Sequence, residues 1–240
     1  MTARPTARAF TLALCAALLA VGAGSARAAA DPPRGHDVSS HQRGVDWTRA
    51  GGDGARFVYV KATESTDYRN PAFEEQYAGA RAAGILRGAY HFAVPDRSSG
   101  AAQAAYFVRN GGAWRADGRT LPPALDMEYN PYGTQRCYGL GRTAMVRWIR
   151  SFSDEVLGLT GRRPVLYTTA DWWRLCTGDS TVFAGDHALW IARHDASDTG
   201  ALPGGWTTWT FWQYATKGTL PGDQNVFHGS LAGLKRFARG

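Results

Sequence analysis

Cysteine is scarce in this chain: there are three among 240 residues, and only Cys137 and Cys176 lie outside the first thirty. Neither has a C-x-x-C partner or a histidine nearby, so no zinc ribbon or finger is expected. The six histidines show no H-x-x-x-H spacing, which argues against zinc catalysis. A G-x-S-x-G elbow is missing, and with it the usual sign of a serine hydrolase. The dinucleotide fingerprint is missing too, and the glycines at 51–54 and 111–112 lead into no phosphate-loop lysine. No metal and no cofactor are therefore expected. Long hydrophobic runs are equally wanting, because the one apolar run, at 11–24, falls short of the roughly 20 residues that span a bilayer. Repeats, low-complexity linkers and basic runs interleaved with aromatics are absent, so neither a membrane nor nucleic acid is an expected partner.

What remains is the composition of a compact globular chain, 44% hydrophobic, 12% aromatic and 20% charged. The first thirty residues stand apart. They carry Arg4, Arg8 and Arg27 and no acid, then the apolar run, then small residues with an A-x-A site at 26–28 or 28–30. That is the pattern of a secretory signal peptide, leaving a single domain at 31–240. Its removal takes away three arginines and no acid, so 24 basic residues face 20 acidic ones, a net charge of +4. A modest excess of this sign either steers anionic partners such as a cell wall or serves solubility alone. Export to an oxidising compartment makes a Cys137–Cys176 disulfide the simplest reading of the pair, with two buried free thiols as the alternative.

Along 31–240, short apolar runs alternate with helix-like stretches. Strands are expected at 35–39, 57–61 (FVYVK), 85–92, 121–129, 164–168, 189–192 and 207–214. Helices are expected after Asn70-Pro71, from Ser98 or Ser99 to the glycines at 111–112, over 143–157, and briefly near 171–175. The βα rhythm fades after residue 168, leaving too little chain for an unaltered eight-fold barrel. The expected fold is α/β, a modified barrel of about five βα units closed by three strands. An open doubly wound sheet is the second choice.

Chemistry concentrates at LPPALDMEYN, residues 121–130. Side chains alternate along a strand, so Asp126 and Glu128 share one face and Leu125, Met127 and Tyr129 the other. Two acids on one face raise each other's pKa, a cost that suits a division of labour in which one keeps its proton and the other ionises. The plain alternative is a pair of salt bridges to nearby arginines. Asp37 and Asp223 tip the balance: barrel closure brings both toward the same mouth, and four converging acids resemble a glycosidase site. Aromatic residues on or beside the strands supply platforms for sugar rings, with Tyr90, Phe92, Tyr129, Tyr167, Trp190, Trp212 and Tyr214 as the candidates. Lys61 and Glu64 read as an ordinary ion pair.

The segment 35–42 (GHDVSSHQ), with Val45-Asp46-Trp47 after it, resembles the opening of glycoside hydrolase family 25 lysozymes, the N,O-diacetylmuramidases. The resemblance continues in order through FVYVKATE (57–64), GAYHF (88–92), LDME (125–128), LYT (166–168), LWIA (189–192), FWQY (211–214) and DQNVF (223–227). It implies a flattened, modified β/α barrel that cleaves the β-1,4 bond after N-acetylmuramic acid in peptidoglycan. It further implies Glu128 as proton donor, Asp126 as its partner carboxylate, and Asp37 and Asp223 as the remaining acids of the cleft. Two positions depart from the pattern: Gly222 stands where a bulkier apolar residue is common, and Val94 where a basic residue often appears. Retaining, inverting and substrate-assisted routes all fit a D-x-E strand, and the N-acetylated substrate favours the last. A secreted monomer acting on glycan strands is expected. The competing classes are a wall-binding lectin-like module and a wall amidase or endopeptidase.

Overall fold

The computed structural model describes residues 1–3 and 31–240, and residues 31–240 form a compact unit of their own. The expected signal peptide, at 1–30, lies almost wholly outside the described residues. From the start of the unit, strand β1 (Arg34–Val38) leads through helix α1 (Trp47–Gly52) to β2 (Ala55–Glu64), whose end folds back as the two-residue β3 (Tyr68–Arg69). Helix α2 (Phe73–Ala82), β4 (Leu86–Phe92), α3 (Gly100–Phe107), β5 (Ala124–Asp126), α4 (Arg142–Thr160), β6 (Val165–Thr169) and α5 (Ala170–Thr177) follow. Next come β7 (Leu189–Ala192), β8 (Phe211–Ala215), β9 (Asp223–Phe227) and α6 (Leu231–Phe237). β1, β2, β4, β5, β6, β7 and β8 pair in parallel, and β9 runs antiparallel between β8 and β1, closing an eight-stranded barrel. Five strand–helix units run from β1 to α5, then β7, β8 and β9 close the ring, as the fading rhythm indicated, and α6 follows β9.

Local chemistry fixes the ends. Asp46, Ser99, Thr169 and Ser230 each accept a backbone N–H at the start of a helix, and Gly161 ends α4 in the left-handed conformation. α2 begins at Phe73 rather than at Pro71. Asn70 braces the preceding turn instead, its Oδ1 accepting from Ala72 N–H at 2.9 Å. The run 121–129 enters the ladder only over Ala124–Asp126, since Pro122 and Pro123 have no N–H to give. The absent helix between β7 and β8 is replaced by a Gly- and Ser-bearing loop.

Alternation along the strands builds two apolar layers. Outward residues such as Val58, Val60, Leu125, Leu166 and Ile191 meet Phe107, Ile149, Phe152, Trp172 and Trp173 of the helices. Inward residues Phe57, Tyr59, Tyr90, Tyr167, Trp190, Phe211 and Phe227 fill the barrel, and α6 adds Leu234 beneath them. Its Phe237 lies 5.7 Å from Phe211 and 6.2 Å from Phe227, ring centre to ring centre, so the last helix plugs the floor. Gly88 leaves the space that Tyr59 takes, for a Cβ there would lie 2.3 Å from the phenol ring. The Cys137–Cys176 disulfide is formed, Cα atoms 5.5 Å apart, tying the loop after β5 to α5. Closing a loop of that length is worth about 3–4 kcal/mol.

Candidate active site

Parallel strands deliver their C-terminal ends to one mouth, and reversing β9 delivers its first residue there too. Asp37 of β1 and Asp223 of β9 are direct register partners, so two carboxylates face each other across one pair of strands. Such a pairing needs close backbone approach at Gly222, where φ is +76° and a Cβ would lie 2.1 Å from the Asp37 carbonyl oxygen. His36 Nδ1 reaches the neighbouring Pro221 carbonyl at 2.6 Å and pins the same turn. In this chain a glycine at 222 leaves the Asp37 carbonyl unobstructed as the turn closes on it.

Asp126 and Glu128, two residues apart, project into the same cavity as Asp37 and Asp223, together with Tyr90, Tyr167, Trp190 and Gln213. Its volume is about 80 Å³, far below the roughly 300–1,000 Å³ of pockets that enclose a whole small ligand. A cavity of this size admits a side group of a larger molecule and not a whole small ligand. Asp126 is 6% exposed and Asp37 9%, while Glu128 and Asp223 stand nearer the rim.

Burial governs the charges. It pushes Asp37 up to about 7, helped by the Asp223 carboxylate and opposed by the hydrogen bonds it accepts from Gln213 and Asn225. Burial likewise holds Asp126 well above the usual carboxylate range, with Glu128 adding to it, and raises Glu128 and Asp223. Both carboxyls face one cavity, and charge on Glu128 favours the protonated form of Asp126. The deeper Asp126 is the group that burial keeps neutral in the open site. Its Oδ1 is buried with no hydrogen-bond partner among the described residues.

Two amides missed at the sequence level organise the cluster. Gln213 Nε2 donates to Asp37 Oδ2 at 2.9 Å and to Asp223 Oδ2 at 3.3 Å, while its Oε1 accepts from Tyr167 OH at 2.8 Å and from His194 Nε2 at 2.7 Å. Asn225 Nδ2 donates to Asp37 Oδ2 at 2.6 Å, and its Oδ1 accepts from the Trp190 indole at 2.7 Å. Both amides sit inside expected motifs, FWQY and DQNVF, and strand parity would have turned them inward with Phe211 and Asp223.

The candidate aromatics divide. Tyr90, Tyr167 and Trp190 reach the acid cavity, but Trp190 is 2% exposed and stacks on Tyr59 at 4.8 Å, making it floor rather than platform. Phe92 sits at the end of β4 under Lys61 Nζ, 4.7 Å from its ring centre. Tyr129 points to the opposite face from the acids, beneath the Arg136 guanidinium at 4.1 Å. Trp212 alternates with inward Phe211 and Gln213 and packs against the outer layer, while Tyr214, its ring 5.8 Å away, stands where the β8–β9 pairing shifts register. Lys61 and Glu64 form their ion pair at 2.6 Å, and the exposed Tyr132 hydroxyl bonds the same Glu64.

One serine–histidine–aspartate chain does exist: Ser153 Oγ is 2.6 Å from His187 Nε2, and His187 Nδ1 is 2.5 Å from Asp186 Oδ1. Ser153 is wholly buried and also accepts from Arg163 Nη1 at 3.0 Å, so no carbonyl can reach it. Among the described residues no three His, Cys, Asp or Glu side chains are placed to hold a metal ion together.

Comparison with known proteins follows the same map. The glycosyl hydrolases family 25 model matches residues 36–223. The N,O-diacetylmuramidase of Chalaropsis sp is 45% identical over 210 residues, 86% of this chain and 99% of its own. Among solved structures, a muramidase from Acremonium alcalophilum has a TM-score of 0.84 at 54% identity, covering 86% of this chain and 99% of its own. A family GH25 lysozyme from Aspergillus fumigatus has a TM-score of 0.85 at 47% identity, covering 88% and 100%. From β1 to the first residue of β9, the match spans the strands that build the mouth, and the chain belongs to glycosyl hydrolases family 25, a glycoside hydrolase of the lysozyme type.

Proposed function

We propose that the protein is a secreted muramidase that hydrolyses the β-1,4 bond between N-acetylmuramic acid and N-acetylglucosamine in peptidoglycan, with Glu128 as general acid and Asp126 as its partner. The observation that carries this reading is the unpartnered Oδ1 of Asp126 in a cavity of about 80 Å³. A cavity of this size takes a few waters or one acetamido group, and a sugar's amide N–H is a donor of the kind that oxygen lacks.

Substrate then decides which of the two carboxyls holds the proton. An amide N–H donated to Asp126 favours its ionised form and lowers its pKa, so the proton crosses to Glu128 nearer the rim. Glu128 is left protonated beside the glycosidic oxygen, and ionised Asp126 steadies the acetamido group. The acetamido oxygen attacks C1 as the C1–O4 bond breaks and Glu128 gives its proton to the leaving O4. Water, giving a proton back to Glu128, then opens the cyclic intermediate to a muramic acid reducing end. Asp223 at the rim, joined by Asp37 as it ionises above about 7, supplies negative charge beside the carbon that becomes positive. Tyr90 and Tyr167 border the side group's entry.

The test is digestion of purified peptidoglycan, borohydride reduction and mass spectrometry of the reduced sugar. Reduced N-acetylmuramic acid, absent with Glu128→Gln, is the expected result. New amino groups without new reducing ends would mean a wall amidase or endopeptidase instead, and a folded, wall-bound protein releasing neither would mean a lectin-like module. Export is read from residues 1–30, and no helix among the described residues is long and apolar enough to cross a membrane. N-terminal sequencing of extracellular protein should start at Ala29 or Asp31.

A further inference from the structure

The largest cavity described on the molecule, about 1050 Å³, is not at the acid mouth. It lies between α2, the N-terminal end of β4 and the loop that follows α3, with α6 at its edge. Arg87 at its back is five residues from Phe92 at the mouth, about 16 Å along the strand. Arg81, Arg87, Arg115, Arg119 and Lys235 line it. None of these five is in an ion pair among the described residues, although six other arginines are. Of its two lining acids, Asp117 is occupied with its own turn, accepting from Arg119 N–H, Thr120 N–H and the Thr120 hydroxyl at 2.8, 2.6 and 3.0 Å. Glu74 is the other.

Arg87 distinguishes this groove from an ordinary solvated face. It is 8% exposed, its guanidinium lies 5.2 Å from the Tyr77 ring centre, and its one protein acceptor is the Arg119 carbonyl at 3.5 Å. Nε is buried with no partner among the described residues. Asp117 lies near enough for Arg87 to lower its pKa but forms no ion pair with it; a buried cation with no carboxylate in direct contact is costly, and an anion supplied from outside reduces that cost. We propose that this groove binds phosphodiester groups of an anionic polymer. Guanidinium forks match phosphate oxygens in pairs, and four arginines along a concave track suit successive charges on one strand. Arg87 is recessed beneath Tyr77, where a single chain can enter and a flat layer of lipid headgroups cannot. Only the setting, a bacterial wall bearing such a polymer, rests on the muramidase reading. A wall tether at this groove would leave the acid mouth free.

Calorimetric titration of the protein with soluble poly(glycerol phosphate) tests the site without involving glycosidase activity. The exposed pair Arg115→Gln with Arg119→Gln should weaken binding at least about tenfold, and Arg87→Lys should weaken it while keeping the charge. Hydrolysis of short soluble glycans should be unchanged in both. The control pair Arg147→Gln with Lys217→Gln removes the same charge elsewhere and should change affinity less than about twofold. Equal loss in the control, equal binding of polyglutamate, or binding to phosphatidylglycerol vesicles but not to the polymer would each overturn the proposal.

Discussion

The two ends of one barrel are built from the same inward-facing rows and reach opposite ends of protein chemistry. Along β8, Phe211 packs into the floor against Phe57, Phe227 and Phe237, while Gln213, two residues on, holds two carboxylates. Along β9 the order reverses, from Asp223 through Asn225 to Phe227. The floor is aromatic and buried. The mouth concentrates four acids, each raised by burial, with one oxygen left unpaired. The aromatic floor thus favours the fold, while the buried acids of the mouth are groups the fold would be more stable without.

The strongest break of this contrast is at the rim. Glu128→Gln should lower the hydrolysis rate by at least about 10²-fold, with thermal unfolding unchanged or slightly raised. A rate within tenfold of the unsubstituted protein would remove Glu128 from the chemistry. The converse change at the floor, Phe211→Ala, should cost about 3–5 kcal/mol and lower Tm by roughly 10 °C, while the rate per folded molecule at low temperature stays within about twofold.

Asp37→Asn tests whether the mouth costs stability. Because the folded protein holds this acid near 7 against an ordinary 3.8, its protonation favours the fold fully below about 4, and that benefit is lost as pH rises through about 7. The variant should accordingly have a higher Tm than the unsubstituted protein at pH 8, a difference that narrows toward pH 4. A lower Tm at pH 8 would show that the amide cradle, not burial, dominates. The smallest effect is expected outside both ends: Trp212→Ala, on the outer wall, should leave cleavage of short soluble glycans within about twofold. A loss beyond tenfold would extend the working surface onto that wall.

Much of this was legible from the chain. The β-branched run at 57–61, the LDME parity and the fading helix pattern carried the barrel, the facing of Asp126 and Glu128, and the closing strands. Short elements were lost for want of period: α1 has six residues and ends in Gly51-Gly52, although Asp46 marks its cap, and α6 shows its face only through Leu231 and Leu234. The reversal of β9 is a matter of topology, invisible in five residues of alternating pattern. Aromatic content alone does not say which rings reach the acid cavity: Tyr90, Tyr167 and Trp190 do, while Trp212 packs against the outer layer and Tyr214 stands at a register shift.

The antiparallel strand also sets an order of events in time. β1, made first, finds its second neighbour only in β9, with Asp37 waiting for Asn225, 188 residues later. A nascent chain that has not yet delivered Asp223 has an open sheet, no cradle for Asp37 and no plug beneath it. The four-acid mouth is therefore the last part of the barrel to be completed, and it exists only once β9 has paired with both β8 and β1.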